Sequence, residues 1–258
     1  MQVCHMNGAG NSFAVVDARG STGDLQNLAV QLWAQLQTDG FLALGHSQTA
    51  DFKLHFYNPD GLRGEMCGNG ARCICKFAYD LGIVGDAMTM ETDAGPVYGH
   101  RIGEEEYAVQ LNLPSVAELH RLGDCAYVEL GDPGIPHAVL EIPDLCREDK
   151  EKLRSYGRRL RHDKAFPKGA NVDFYRILAP GRVRVLTYER GVEDFTLACG
   201  TGSASVAVVL WKKGLLPDAK LTAENPGGTL TVKLETEGLR LTAIHLQGSA
   251  QTVCKYEI

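Results

Sequence analysis

The chain has 258 residues, of which 44% are hydrophobic and 22% charged, and its formal net charge is −6 at pH 7. This length favours two lobes, and the acidic balance argues against nucleic acids and anionic membranes as partners, since both attract basic surfaces. No apolar run reaches the ~20 residues of a membrane span, and the first residues lack the pattern of a signal peptide. The eight cysteines are scattered through the chain, so we expect reduced thiols and a cytoplasmic location.

The first half of the chain predicts strands around one buried helix. A Gly-rich turn at residues 6–12 leads into an apolar strand, and Asp24 can cap an amphipathic helix that runs to about Gln37. The residues after Cys67 are apolar on most sides of a helix, which predicts that this second helix is buried. Further strands are predicted at 41–45, 51–57, 87–91, 96–101 and 107–113.

The second half predicts the same order of elements. A helix is expected at 148–162, and a second buried helix follows Cys199. The turn at 189–191 takes the place of the turn at 58–60. Strands are predicted at 126–130, 136–142, 171–178, 183–188, 219–223, 229–234 and 239–246.

A recurring offset between the halves indicates an internal duplication. Cys67 and Cys199 are each followed by Gly-x-Gly and lie 132 residues apart, and the same offset relates Gly82 to Gly214. We therefore predict an α+β fold of two pseudo-symmetric β-rich lobes, each wrapped on a buried central helix, with the active site in the cleft between them. The predicted lobes are residues 1–115 and 116–250, and the tail, 251–258, is free to return to the first lobe.

Each cysteine of this pair stands where a helix begins. A Gly-rich turn there leaves free backbone N–H groups at the positive end of the helix dipole, which is expected to lower the pKa of a thiol and to attract a ligand carboxylate. Buried structural cysteines are the alternative, since free cysteines are often buried. Two cysteines in matching contexts favour a reactive pair. The cysteines lack neighbouring histidines at ligand spacing, so no zinc site is expected.

The motifs at 66–73 and 188–202 resemble the two characteristic motifs of diaminopimelate epimerases, and the resemblance extends along nearly the whole chain. It implies a cofactor-independent isomerase that interconverts LL- and meso-diaminopimelate for lysine and peptidoglycan synthesis. In this family one cysteine removes the α-proton and the other supplies a proton to the opposite face. Two thiols suit that chemistry, because inverting one carbon needs a matched base and acid.

The resemblance assigns catalytic roles to four side chains. Cys67 and Cys199 would be the acid–base pair, while His137 and Glu189 would engage the reacting amino group and tune the thiols. It implies neither a metal nor a cofactor. The partner would be a small amino-acid substrate, and the enzyme a monomer or homodimer.

Eight further positions are implied to bind the substrate. Four would hold the reacting carboxylate, and four would contact the rest of the molecule, three of them at its distal end. The carboxylate group is Gly68, Asn69, Gly200 and Thr201; the other group is Asn11, followed by Asn58, Asn171 and Arg190 for the distal end. Arg190 is the most specific of these, because a planar, bidentate clamp on a carboxylate requires a guanidinium.

Three departures from the family concern the substrate more than the reaction. Ser12 stands where the family usually has Asp, and residues 35–40 lack its usual Gly-rich run. Ile135 replaces an Asn that normally contacts the distal end of the substrate. Another cofactor-independent amino-acid racemase of this fold, acting for example on histidine, is therefore an alternative. A non-catalytic binding or redox-sensing protein is a third possibility, which the retention of both cysteines disfavours.

Overall fold

The computed structural model describes residues 1–21, 23–64, 66–145 and 149–257. Expectations that involve Glu65, Cys146, Glu148 or Ile258 lie outside the described residues. The helices are α1 (Leu25–Leu36), α2 (Gly68–Asp80), α3 (Lys150–Arg161) and α4 (Gly200–Lys212), and Pro217–Ala219 forms a short 3-10 turn. The strands are β1 (Gln2–Gly8), β2 (Asn11–Asp17), β3 (Gly40–Gly45), β4 (Phe52–Tyr57), β5 (Arg63–Gly64), β6 (Ala87–Thr92), β7 (Gly95–Arg101), β8 (Glu106–Leu111), β9 (Pro114–Leu122), β10 (Cys125–Gly131), β11 (Gly134–Glu141), β12 (Asn171–Ala179), β13 (Arg182–Glu189), β14 (Asp194–Phe195), β15 (Lys220–Asn225), β16 (Gly228–Glu237), β17 (Arg240–Ser249) and β18 (Gln251–Glu257).

The chain folds into two compact units. Unit 1 comprises Met1–Gln110 and Gln247–Ile258, and unit 2 comprises Leu111–Leu246. In unit 1, β1 pairs antiparallel with both β2 and β18, so a strand from the far end of the chain completes this sheet. The parallel pairs β2–β3 and β4–β6 are joined through α1 and α2, since parallel neighbours require a crossover connection.

Strands β2 and β3 of unit 1 are buried and apolar on both faces, because α1 covers one side and α2 covers the other. On β2, Ala14 and Val16 pack with Ala29 and Leu32 of α1. Phe13, whose side chain points the other way, lies beside the first turn of α2. Helix α2 contacts β1, β2, β3, β4 and β7, and nine of its 13 residues are buried, which confirms the predicted buried helix.

Unit 2 repeats this arrangement with its own strands. β10 pairs antiparallel with β11 and β9, β11 is parallel to β12, and β13 is parallel to β15. Helix α4 contacts β9, β10, β11, β12, β15 and β16 and buries nine of its 13 residues, while α3 packs on β12 and β13. The predicted α+β fold of two similar β-rich lobes is confirmed. None of the helices in the described ranges has the length and apolarity to span a membrane.

Candidate active site

The first half-site lies at the start of α2. Cys67 is the N-cap residue, with an extended backbone (φ −130°, ψ 119°), and its carbonyl accepts the Ala71 N–H at 2.7 Å. The first N–H groups of a helix have no acceptor within it, so the residues that follow Cys67 place backbone donors at the positive end of the dipole. The half-buried thiol therefore stands beside backbone donors that suit a carboxylate.

The buried guanidinium of Arg72 holds the first turn of α2 through hydrogen bonds. Arg72 is fully buried, and its three nitrogen atoms reach Asn69 Oδ1 (2.8 Å), the Gly68 carbonyl (3.3 Å) and the Ser249 carbonyl (3.4 Å). In the part of the chain that the structure describes, none of its partners is a carboxylate. Burial lowers the pKa of Arg72. Sequence reasoning missed this residue, although an arginine in a helix predicted to be buried was a signal.

The Arg72 contact also fixes the orientation of two amides. Because Asn69 Oδ1 accepts from Arg72, its Nδ2 is the atom that donates to Asn11 Oδ1, at 2.5 Å. The Asn11 amide consequently has its own Nδ2 directed away from this bond, as a donor. Unit 1 thus brings together four of the predicted site residues, Cys67, Gly68, Asn69 and Asn11. Asn58 lies in its predicted turn, where its backbone N–H donates to the Leu62 carbonyl at 2.8 Å.

Two of the sequence departures meet in this unit. The backbone N–H of Ser12 donates to Asp39 Oδ2 at 2.8 Å, and its hydroxyl reaches the same oxygen at 3.2 Å. The Asp39 carboxylate, which comes from the altered segment 35–40, therefore lies against Ser12, and Ser12 is the residue that stands where the family usually has an aspartate.

The second half-site lies at the start of α4. Cys199 is the N-cap residue, only 9% exposed, and its Sγ accepts the Gly202 N–H at 3.3 Å and lies 3.5 Å from Thr201 Oγ1. Burial raises the pKa of the Cys199 thiol well above its ordinary value, and the carboxylates of Glu189 and Asp173 raise it further. The expectation of a lowered pKa is therefore wrong for Cys199. The helix donors do favour the thiolate, but loss of hydration and two nearby acidic groups outweigh them.

Strand register assembles a polar cluster beneath this helix. In the sheet, His137 of β11 is the partner of Asn171 of β12, and Asp173 is the partner of Thr187 of β13. His137 Nδ1 lies 2.7 Å from Asp173 Oδ2, and the Thr187 hydroxyl donates to Asp173 Oδ1 at 2.8 Å. His137 and Asp173 are both fully buried. Sequence reasoning found His137 and Asn171 and missed Asp173, which reads as an ordinary polar residue in a strand.

Asn171 links this cluster to the turn after β13. Its Oδ1 accepts the backbone N–H of Arg190 at 2.8 Å, and its Nδ2 lies 3.5 Å from His137 Nε2. The Arg190 side chain is exposed, and its Nη1 donates to the Lys168 carbonyl at 3.2 Å.

Two more residues define the chemical character of the second half-site. Glu189 is half-buried at the end of β13, and burial raises the pKa of its carboxyl group, partly opposed by Thr196 and His137. Ile135 lies two residues before His137 on β11 and so on the same face of the strand. Its apolar side chain cannot supply the amide contact that the family usually has there. Unit 2 brings together His137, Asn171, Glu189, Arg190, Cys199, Gly200 and Thr201.

The fold defines a class of protein by comparison with solved structures. The chain matches a Bacillus anthracis phenazine biosynthesis protein of the PhzF family with a TM-score of 0.72 and 17% identity, covering 100% of this chain and 98% of that one. It matches a probable proline racemase from Agrobacterium radiobacter K84 with a TM-score of 0.69 and 18% identity, covering 100% and 92%. The protein therefore has the duplicated fold that these two groups share.

Sequence comparison narrows the class to one family. The family model for diaminopimelate epimerase matches residues 3–111 and 131–253. The diaminopimelate epimerase of Chlorobaculum tepidum is 36% identical, over 96% of this chain and 97% of its own length. That of Aquifex aeolicus is 33% identical, over 98% and 96%. The chain belongs to the diaminopimelate epimerase family and is an isomerase.

Proposed function

We propose that this enzyme interconverts LL- and meso-diaminopimelate by proton transfer between two thiols, without a cofactor. The observation that carries the proposal is the repeated half-site. Each unit places one cysteine as the N-cap of its buried helix, directly before a Gly-x-Gly turn. One substrate engaging both half-sites would meet a thiol on each face of its α-carbon and backbone donors for its carboxylate.

The proton balance of the reaction follows from the two sulfur atoms. Cys199 rests as a thiol, because burial and two carboxylates raise its pKa. The Cys67 thiolate takes the α-proton, and the electron pair of the broken C–H bond passes to the substrate carboxylate as an enediolate. Cys199 then donates its proton to the opposite face of the carbon. The product leaves Cys67 as the thiol and Cys199 as the thiolate, and the reverse reaction exchanges these roles.

The other site residues would stabilise and select the substrate. The developing charge on the carboxylate would be met by Gly68, Asn69, Gly200 and Thr201 at the two helix starts, where preorganised donors are most effective. His137 and Glu189 would hold the reacting amino group. At the distal end, Arg190 would pair with the second carboxylate, aided by Asn58 and Asn171. This selects a diamino diacid, the substrate class of lysine and peptidoglycan synthesis. A cytoplasmic location and a monomer or homodimer stay predictions from the sequence.

One observation favours a second candidate function. Ile135 makes the neighbourhood of His137 more apolar than the family pattern, which would suit a single-centre amino acid such as histidine. A hydrogen-bonding site rejects ligands that leave its groups unpaired, so Arg190 and Asn171 argue against such a substrate.

Loss of the α-proton into heavy water tests both functions. The purified enzyme is incubated in D₂O with diaminopimelate, histidine, alanine or lysine, and exchange is followed by ¹H NMR. We expect exchange with diaminopimelate and little with the others. Replacing Cys67 or Cys199 with Ala should lower epimerisation by about 10²- to 10⁴-fold. Cys125→Ala is the matched control, because Cys125 is buried in the core of unit 2. Faster exchange with histidine than with diaminopimelate would replace the proposed function by the alternative.

A further inference from the structure

The orientation of the Asn171 amide is set by a group that can only donate. The backbone N–H of Arg190 lies 2.8 Å from Asn171 Oδ1. Since an amide N–H has no lone pair to offer, the oxygen of the Asn171 side chain must face it. The Nδ2 group is then the one that faces His137.

This orientation determines where His137 holds its proton. Asn171 Nδ2 can only donate, so His137 Nε2, at 3.5 Å, must be the unprotonated nitrogen. The proton of the neutral ring is therefore on Nδ1, which donates to Asp173 Oδ2 at 2.7 Å. The Thr187 hydroxyl donates to the other oxygen of the same carboxylate at 2.8 Å.

Asp173 determines which group donates in each hydrogen bond of the chain that runs from the Arg190 N–H through Asn171 and His137 to Asp173. We call this chain the relay. An ionised carboxylate only accepts, and both of its oxygens are occupied by donors in a fully buried position. Each hydrogen bond in the series from Arg190 through Asn171 and His137 to Asp173 then has one donor and one acceptor. With a donor in place of Asp173 Oδ2, the His137 proton moves to Nε2, where it faces the Asn171 NH₂ group, another donor. Rotating the Asn171 amide would remove that clash but would place its NH₂ group against the Arg190 N–H.

We propose that Asp173 is a positioning residue, which holds His137 as the Nδ1–H tautomer and through Asn171 fixes the turn that carries Glu189 and Arg190. The inference rests on the proposed function, because that turn supplies the groups assigned to the substrate's amino group and distal carboxylate. Asp173 acts through these neighbours, and its charge also raises the pKa of the Cys199 thiol, but it touches none of the reacting atoms.

The test replaces the carboxylate by an amide of the same shape. In Asp173→Asn the amide can avoid a mismatch only by placing its NH₂ group at the Oδ1 position. Gly202 packs tightly there, since a Cβ on Gly202 would lie 2.2 Å from Oδ1. An NH₂ group is bulkier than an oxygen, so we expect it to face His137. Glu235→Gln is the matched control, because it makes the same change beside His245 (3.0 Å) on the exposed surface of unit 2.

Two of the three measurements do not depend on activity. In the wild type, ¹⁵N NMR should show His137 protonated at Nδ1, and hydrogen exchange should show a protected Arg190 amide. In Asp173→Asn, the proton should appear at Nε2 and the Arg190 amide should exchange faster. The KM for diaminopimelate should rise, and kcat/KM should fall by about 10- to 100-fold, the range expected for one unsatisfied buried donor. The control should change none of these.

Several outcomes would overturn the inference. Protonation of His137 at Nε2 in the wild type reverses the relay, and unchanged Arg190 exchange in Asp173→Asn removes the link to the turn. If that variant does not fold, Asn171→Asp replaces it. A carboxylate at position 171 only accepts, so His137 should carry a proton on Nε2 facing it, and a ring protonated at Nδ1 alone would contradict the proposal. A wild type inactive on diaminopimelate would refute the proposed function while the NMR and exchange results still decide the relay.

Discussion

Gly202 is the position where a single methyl group should do the most damage. A Cβ there would lie 2.2 Å from Asp173 Oδ1 and 3.0 Å from Thr187 Oγ1. Real Cβ atoms essentially never come closer than 3.0 Å, so α4 and β12 would have to separate by about 0.8 Å, the difference between 3.0 and 2.2 Å. Both elements are buried here, and neither the helix backbone nor the paired carboxylate can give way cheaply.

The expected cost of Gly202→Ala combines three effects. Overpacking costs about 1–3 kcal/mol. Disturbing a hydrogen bond of the buried Asp173 carboxylate adds about 1–3 kcal/mol. The higher helix propensity of Ala returns about 1 kcal/mol. The net loss of unfolding free energy should therefore be about 1–5 kcal/mol, at about 2–4 °C of Tm per kcal/mol.

Urea unfolding followed by tryptophan fluorescence can measure this loss in unit 2 alone. The chain has two tryptophans, Trp33 in α1 and Trp211 in α4, so a Trp33→Phe background leaves only the reporter in α4. Gly85→Ala is the control, since Gly85 is exposed and has no atom within 4 Å of an added Cβ. We expect the control to change stability by less than about 0.5 kcal/mol.

A double-mutant cycle identifies the contact that is responsible. In an Asp173→Ala background most of the obstruction is absent, so Gly202→Ala should cost at least about 1 kcal/mol less than in the wild type. A Gly202→Ala protein as stable as the wild type would refute the argument. The same cost with and without Asp173 would show that the clash is not with this carboxylate.

Two further predictions concern the cysteines and Arg72. Because the pKa of Cys199 is raised, its thiolate fraction is small at neutral pH, so iodoacetamide should modify it slowly at pH 7 and faster as the pH rises beyond 9. Glu189→Gln removes a charge that raises this pKa, so the variant should react faster at each pH. Peptide mass spectrometry measures the rates, and a rate in Glu189→Gln equal to or below the wild-type rate would contradict the electrostatic account. Arg72→Met should lower kcat/KM for diaminopimelate by about 5- to 150-fold, since Asn69 and Asn11 lose the donor that orients them. Lys76→Met on the same helix should have little effect, and equal kinetics for the two variants would refute the orienting role.

The sequence predicted the elements whose apolar pattern is strong and missed those whose pattern is weak. Strand β2 and helices α2 and α4 were predicted because their long apolar runs need burial on both sides. Strand β9 was not, because its residues alternate between half-buried and exposed and resemble a linker. The predicted strand near the start became two, β1 and β2, joined by a turn at Ala9 and Gly10, both with positive φ.

The candidate site divides in the same way. Motif residues such as Cys67, His137 and Arg190 could be named from the sequence because their type and spacing match a family. Asp173 and Arg72 could not, because their partners come from tertiary packing. His137 lies 36 residues before Asp173, and Ser249 lies 177 residues after Arg72. The pKa direction of Cys199 was wrong for the same reason, since the extent of its burial is a property of the folded unit.

Because β18 is made last, strand β1 waits for one of its two partners until the end of synthesis. Unit 1 begins the chain, yet its strand β1 finds its second partner only in Gln251–Glu257, 140 residues after β8 ends at Leu111. At about 5–20 residues per second a ribosome needs roughly 7–28 s to make that stretch. Throughout this interval the outer edge of β1 has unpaired N–H and C=O groups, the kind of edge that recruits other chains. Unit 2 is formed by one continuous stretch of the chain. Its strand β9, which pairs with β10 as β18 pairs with β1, is made before the other strands of that unit. The unit that is translated second is therefore the first that can be completed, and nascent chains are most exposed to mispairing at β1.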